Sequence, residues 1–128
     1  MPNSEKHQRG LEEFQNGAYD VALQLLSEAL LEDESCELWN DWATTQAVCG
    51  HIDEAKKGYR RALQMNINDS QSAANLGVLL LNEGQVHQAV PLLEKSLAGL
   101  DEAQRRAVQE LLDQSKPPAI VQQRSTGS

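Results

Sequence analysis

Aromatic residues are scarce in this chain, at 4 % of 128 positions. Strands draw on Val, Ile, Tyr and Phe, so the scarcity, beside an abundance of Leu and Ala, favours helices. There is no run of about 18 apolar residues, so no segment is fit to span a bilayer. The opening Met1-Pro2-Asn3-Ser4-Glu5 lacks the basic-then-apolar order of a secretory leader. Only two cysteines occur, Cys36 and Cys49. The helix reading below puts them near opposite ends of one helix, about 20 Å apart. A disulfide needs less than about 7 Å, so they do not pair within the chain. Reduced cysteines fit a cytoplasmic protein, which is the expectation.

Positive charge is also in deficit, with 11 Lys and Arg against 19 Asp and Glu and a net charge of −8. Residues 1–35 hold two bases and eight acids, whereas residues 104–128 hold four bases and two acids. An acidic body repels phosphate backbones, which disfavours nucleic acid. The same charge serves solubility and suits basic partners.

Catalytic and metal-binding signatures are missing. His7, His51 and His87 fall on different elements, with no second ligand one helical turn away, and are read as solvated surface groups. Neither cysteine belongs to a Cys-x-x-Cys pair. No glycine loop is built to cradle phosphate, and no Gly-x-Ser-x-Gly occurs. Asn68-Asp69-Ser70 matches a glycosylation acceptor, but without a leader it reads as a helix start. The expectation is of no enzyme activity, no metal and no cofactor.

What the sequence does contain is a period. Gly17, Gly50 and Gly84 are separated by 33 and 34 residues. The same offsets link Tyr19, Ile52 and Val86; Ala22, Ala55 and Ala89; and Leu26, Tyr59 and Leu93. They also link Ala29, Ala62 and Ser96; Leu30, Leu63 and Leu97; and, upstream, Gly10, Ala43 and Gly77. Columns in one register define three units, about 3–35, 36–69 and 70–103. The central glycine closes one helix in a left-handed conformation and turns the chain into the next. Small residues on either side of it let two helices approach, and the Leu26–Tyr59–Leu93 column fills space between units. Asp20 and Asp53 meet the positive start of each second helix. Apolar spacing gives helices near 4–15, 19–31, 36–48, 53–65, 70–82 and 86–98. Pro91 inside the sixth removes one backbone hydrogen bond and is read as tolerated.

The pattern resembles the tetratricopeptide repeat, a helix–turn–helix of 34 residues. The third unit carries it best, with Asn75-Leu76-Gly77, then Glu83-Gly84, Ala89 and Leu97. The second unit has the early Trp39, with Trp42 at the Leu place and Ala43 at the Gly place. The first lacks the Trp and has Arg9 at the Leu place. Glu34, Ile67 and Asp101 stand where the family usually has proline, which leaves the turns between units open. The resemblance covers about 3–103. It implies an all-α, right-handed superhelical α-solenoid of three antiparallel helix pairs.

A solenoid's last unit needs a cover. Residues 101–114 supply a capping helix, started by Asp101, with Ala103, Ala107, Val108, Leu111 and Leu112 on one stripe. Glu102, Arg105, Arg106, Gln109 and Asp113 fall opposite. The domain is thus 1–114, and the Pro-, Gln- and Ser-containing 115–128 is expected to be a flexible tail.

The resemblance further implies that the first helix of each pair lines a concave groove. Projected onto this chain, its face is Gln8, Leu11, Phe14 and Gln15; then Glu37, Asn40, Asp41, Thr44 and Val48; then Gln71, Ala74, Asn75, Val78 and Asn82. The row Gln8, Asp41, Asn75 could bond the backbone of an extended peptide. Some family members grip a partner's terminal carboxylates from this groove. The matching places here hold His7, Leu11, Asp41, Gln71 and Asn75, of which only Asn75 suits that task. With Glu37 and Asp41 and no Lys or Arg, the groove favours a neutral to basic protein or peptide. The implied function is an adaptor or scaffold that binds a partner in this groove, with neither nucleic acid nor membrane as partner, acting as a monomer or weak homodimer. Two alternatives stand beside it. One is an accessory module that self-associates or supports an associated enzyme, since Leu38-Trp39-Asn40-Asp41-Trp42-Ala43 is similar to repeats preceding bacterial glycosyltransferase or methyltransferase domains. The other is a secretion chaperone, some of which also use three such repeats.

Overall fold

The three periodic glycines adopt the conformation their column predicts. Gly17, Gly50 and Gly84 have φ of 82°, 86° and 79°. Around each, the same two backbone bonds close the preceding helix. Ala18 N–H donates to Glu13 and Gly17 N–H to Phe14; His51 donates to Gln46 and Gly50 to Ala47; Gln85 donates to Leu80 and Gly84 to Leu81. This pairing satisfies the last carbonyls of each helix and reverses the chain.

A computed structural model gives the conformation of residues 4–116. It holds three antiparallel pairs: α1 (Glu5–Gln15) with α2 (Tyr19–Glu32), α3 (Cys36–Val48) with α4 (Ile52–Met65), and α5 (Ser70–Asn82) with α6 (Val86–Ser96). A single 3₁₀ turn, Leu97–Gly99, leads to α7 (Glu102–Ser115). There is no strand among the described residues. Each second helix packs on the first helix of the next unit, α2 on α3, α4 on α5 and α6 on α7. The result is an α-solenoid of stacked helix pairs. α6 runs through Pro91 to Ser96, two residues short of its expected end, and the chain then tightens into the 3₁₀ turn.

The core follows the columns. Ala22, Ala55 and Ala89 are fully buried, as are Leu26 and Leu93, with Tyr59 nearly so. Helices approach closely where the column is small. A Cβ on Gly77 would lie 2.7 Å from Leu93 Cδ2, and one on Gly10 would lie 2.8 Å from Leu26 Cδ2. The middle unit has Ala43 and Tyr59 at those two places and makes a further close approach one position along. Gly58 of α4 receives the indole of Trp42, and a Cβ there would lie 2.8 Å from Trp42 Cε3. In the third unit, leucines stand at both places, Leu76 and Leu92.

The turns between units close without proline by means of side chains. Ser35 caps α3 by accepting from Leu38 N–H, and Asn66 Oδ1 accepts from Asn68 N–H. Glu34 accepts from Trp39 Nε1 at 2.8 Å, and Arg61 reaches the same carboxylate.

Both ends are finished in a polar way. On α1, the positions in register with Leu38, Trp42 and Thr45 are Glu5, Arg9 and Glu12, all exposed. The first unit's departures from the repeat pattern therefore form a solvated end face. At the other end, Asp101 and Gln104 form a reciprocal capping box. Val108 and Leu112 bury against Ala74, Leu93 and Leu100. The cover is narrower than its expected stripe, because Ala103 and Ala107 are exposed. Arg105 is not opposite the core. Its guanidinium donates to the carbonyls of Leu97 and Leu100 and so ties α7 to the 3₁₀ turn. Ser115, placed by sequence at the start of the tail, closes α7 by donating to the Leu111 carbonyl. The expected tail residues 117–128 lie outside the described residues.

Candidate functional site

The first helices α1, α3 and α5 stand side by side, and polar contacts cross the boundaries between them, among them a bond of 3.2 Å from Ser72 Oγ of α5 to Asn40 Oδ1 of α3. From α1 to α3, His7 Nε2 donates to Asp41 Oδ2 at 2.7 Å. From α3 to α5, Asn40 Oδ1 accepts from Asn75 Nδ2 at 3.0 Å. From α5 to α7, Gln71 Nε2 donates to Gln104 Oε1 at 3.0 Å. Partners in these rungs are 34, 35 and 33 residues apart, one repeat period each. A further contact lies near the α5 start, where Cys36 Sγ donates to Asp69 Oδ2 at 3.0 Å and the Ser72 hydroxyl donates to the same oxygen.

These bonds correct two expectations. His7 is not a solvated surface group; it is 2 % exposed and held by Asp41. The row across the units is not free for a ligand throughout, because Asp41 and Asn75 each spend one side-chain atom on the protein itself. Gln8, beside His7 in sequence, remains exposed. No buried side-chain nitrogen or oxygen among the described residues lacks a partner, so the polar atoms still open to a ligand are those that face solvent.

The other projected positions divide by exposure. Gln15, Glu37, Val48, Gln71 and Asn82 are exposed. Leu11, Phe14, Asn40, Asp41, Thr44, Asn75 and Val78 are half-buried. Phe14 packs edge-on against Tyr19, with ring centroids 5.1 Å apart. Val78 packs on the cluster of Leu93, Val108 and Leu112. Thr44 and Tyr59 share a hydroxyl hydrogen bond of 2.7 Å.

Burial sets the electrostatics of this face. It pushes the Asp41 carboxyl above the usual carboxylate range; the His7 bond offsets part of the rise and Glu37 adds to it. Burial also raises the Tyr59 phenol, with the Thr44 bond opposing and the Asp41 charge reinforcing. The Cys36 thiol is pushed up to about 12, first by burial and then by Asp69. A thiol so held stays protonated and is a poor nucleophile. Among the described residues no group of three His, Cys, Asp or Glu side chains is placed to hold a metal ion. No described helix is long and apolar enough to cross a membrane.

Comparison with solved structures decides the fold. The type III secretion translocator chaperone SycD of Yersinia enterocolitica, bound to a peptide of the translocator YopD, superposes with a TM-score of 0.81. The match covers 87 % of this chain and 89 % of that one at 15 % identity. The second TPR of Spaghetti (RPAP3), bound to the HSP90 peptide SRMEEVD, superposes with a TM-score of 0.70. Here 75 % of this chain and 84 % of that chain are covered at 21 % identity. The fold is that of the tetratricopeptide repeat. PcrH, in complex with the chaperone binding region of PopB, is similar as well, with a TM-score of 0.77 and 17 % identity over 84 % of this chain and 92 % of that chain. At these identities the likeness is one of tetratricopeptide fold. No family model matches the sequence, and no curated protein matches it.

The polar rungs escaped the sequence reading. Polar residues that bond each other across one repeat look the same, in a single sequence, as polar residues that face water. The one available signal was their spacing, since each rung joins residues one period apart on first helices. Gly58 was also missed, because it belongs to no glycine column and answers to Trp42 alone.

Proposed function

We propose that this chain is a binding module that holds an extended protein segment along the α1–α3–α5 face. The observation that carries the reading is the composition of that face. Solvent-open amides (Gln8, Gln15, Asn82) lie beside partly exposed apolar groups (Leu11, Val48, Val78), on helices whose spacing the rungs hold fixed. Such a surface offers backbone bonding and apolar contacts without first having to order itself. SycD, PcrH and the RPAP3 repeat, which share the fold, each hold a peptide or protein segment. Glu37 and Asp41 give the face negative charge, so a neutral to basic segment is its ligand. The two unpaired cysteines fit a cytoplasmic setting.

Display selection of unstructured peptides tests this. Neutral and basic sequences are expected to be enriched on the wild-type chain and lost on a Leu11→Lys, Val48→Lys variant whose melting curve is retained, Val48 being exposed. The acidic peptide SRMEEVD is expected not to bind. Enrichment of acidic sequences, or equal enrichment on the variant, would overturn the reading.

A second reading, chaperoning of a secreted protein's segment, is supported by the coverage of SycD and PcrH over 84–87 % of this chain. It predicts that co-expression keeps an aggregation-prone apolar segment soluble. Unchanged aggregation would sink it.

A further inference from the structure

Trp42 and Leu76 occupy the same place in successive units but stand in different surroundings. At the first junction the Trp42 indole bridges α2 and α4. It donates to Ser27 Oγ at 2.9 Å, lies on Gly58 and packs against two core clusters. At the second junction, where Leu76 and Leu92 stand in place of Trp42 and Gly58, a groove of about 560 Å³ opens between α4 and α6. Leu63, Ile67, Leu76, Leu80 and Leu92 line it, with Arg60 at the rim. Ile67 is 66 % exposed. Arg60 has no ion pair among the described residues, whereas its neighbour Arg61 is paired with Glu34.

The same chain carries a projection that complements this groove in polarity and charge. Leu31, at the end of α2, is 87 % exposed, more than any other large apolar side chain among the described residues. It is followed by Glu32, Asp33 and Glu34. Glu32 is paired with Lys6 and Glu34 with Arg61, but Asp33 has no ion pair among the described residues. A lone leucine beside an uncompensated acid thus stands on one unit, and a leucine-lined groove beside an uncompensated base stands on another.

We infer that the α4–α6 groove receives Leu31 of a second copy of this chain, with Asp33 of that copy against Arg60. Burial of one leucine and one rim ion pair is a small gain against the cost of association and the repulsion of two chains at −8. The pairing is therefore weak and appears at high concentration. It uses a different face from the peptide groove and does not depend on that function.

Equilibrium sedimentation of the full chain between 5 and 500 µM (roughly the span in which weak protein association shows) tests the pairing. The wild-type mass is expected to rise above 14.1 kDa with concentration. Leu31→Asp and Ile67→Asp, both at exposed positions, are each expected to hold the mass at 14.1 kDa with unchanged melting curves. Mixed together, they are expected to recover a complex of two chains, because one retains the groove and the other the leucine. A wild-type mass that stays at 14.1 kDa overturns the inference. So does association that survives either substitution, or a mixture that stays monomeric.

Discussion

His7 Nε2 lies 2.7 Å from Asp41 Oδ2, and this bond ties the first helix pair to the second. His7 is almost wholly buried, so its partner cannot be removed without leaving a polar group stranded. Asp41→Ala is expected to cost about 1–3 kcal/mol in urea unfolding. A loss indistinguishable from zero would show that the bond does not hold the units together. For the same reason Asp41 is a poor site at which to probe ligand binding.

The raised pKa of Asp41 gives a pH dependence with a definite sign. The folded state holds the proton more tightly than the unfolded chain does. This group's contribution is therefore most favourable below its ordinary pKa of 3.8 and is lost as pH rises through the higher folded value. Asp41→Asn keeps an acceptor for His7 and removes the buried charge. Its stability relative to wild type is expected to be greatest at neutral pH and to shrink towards pH 4 (about the ordinary value for a carboxylate). Parallel pH profiles of the two proteins would refute this reading.

Trp42 and Gly58 form a large–small pair where the third unit has two leucines. Gly58→Leu alone overpacks the contact and is expected to cost about 1–3 kcal/mol or more. Adding Trp42→Leu recreates the pattern of the third unit, so the double variant is expected to recover part of the loss. A double-mutant cycle measures this, and simple additivity would contradict it.

Cys36, with its thiol pushed up to about 12, is expected to resist alkylation. At pH 8 its thiolate fraction falls roughly a thousandfold below that of an ordinary thiol, since each pKa unit is tenfold. Mass spectrometry should show Cys36 reacting at least about 100-fold more slowly in the native chain than in urea. Equal rates would mean that neither burial nor Asp69 protects it. The raised value also means that this thiol's favourable contribution is whole below 9.0 and is lost as pH rises to about 12.

The period made the fold legible. Glycines at 17, 50 and 84 and alanines at 22, 55 and 89 carry backbone and packing demands that few other residues meet, so they mark helix ends and close contacts in the bare sequence. Side-chain pairings were not legible in the same way. Arg105 reads as a surface base on an amphipathic helix, yet it reaches carbonyls left open by a 3₁₀ turn that helix periodicity did not reveal. His7 reads as surface because the partner its ring has among the described residues, Asp41, lies a full repeat away. Arg9, which looked like a poor match to the repeat, is explained by its place on the solvated end face.

The central claim is that the α1–α3–α5 face holds an extended segment. Amide chemical shifts of labelled protein, followed during titration with a neutral or basic display-selected peptide, test it most directly. The account predicts saturable changes concentrated at Gln8, Leu11, Gln15, Thr44, Val78 and Asn82. Changes confined to α2, α4 and α6, or none at saturating peptide, would contradict it.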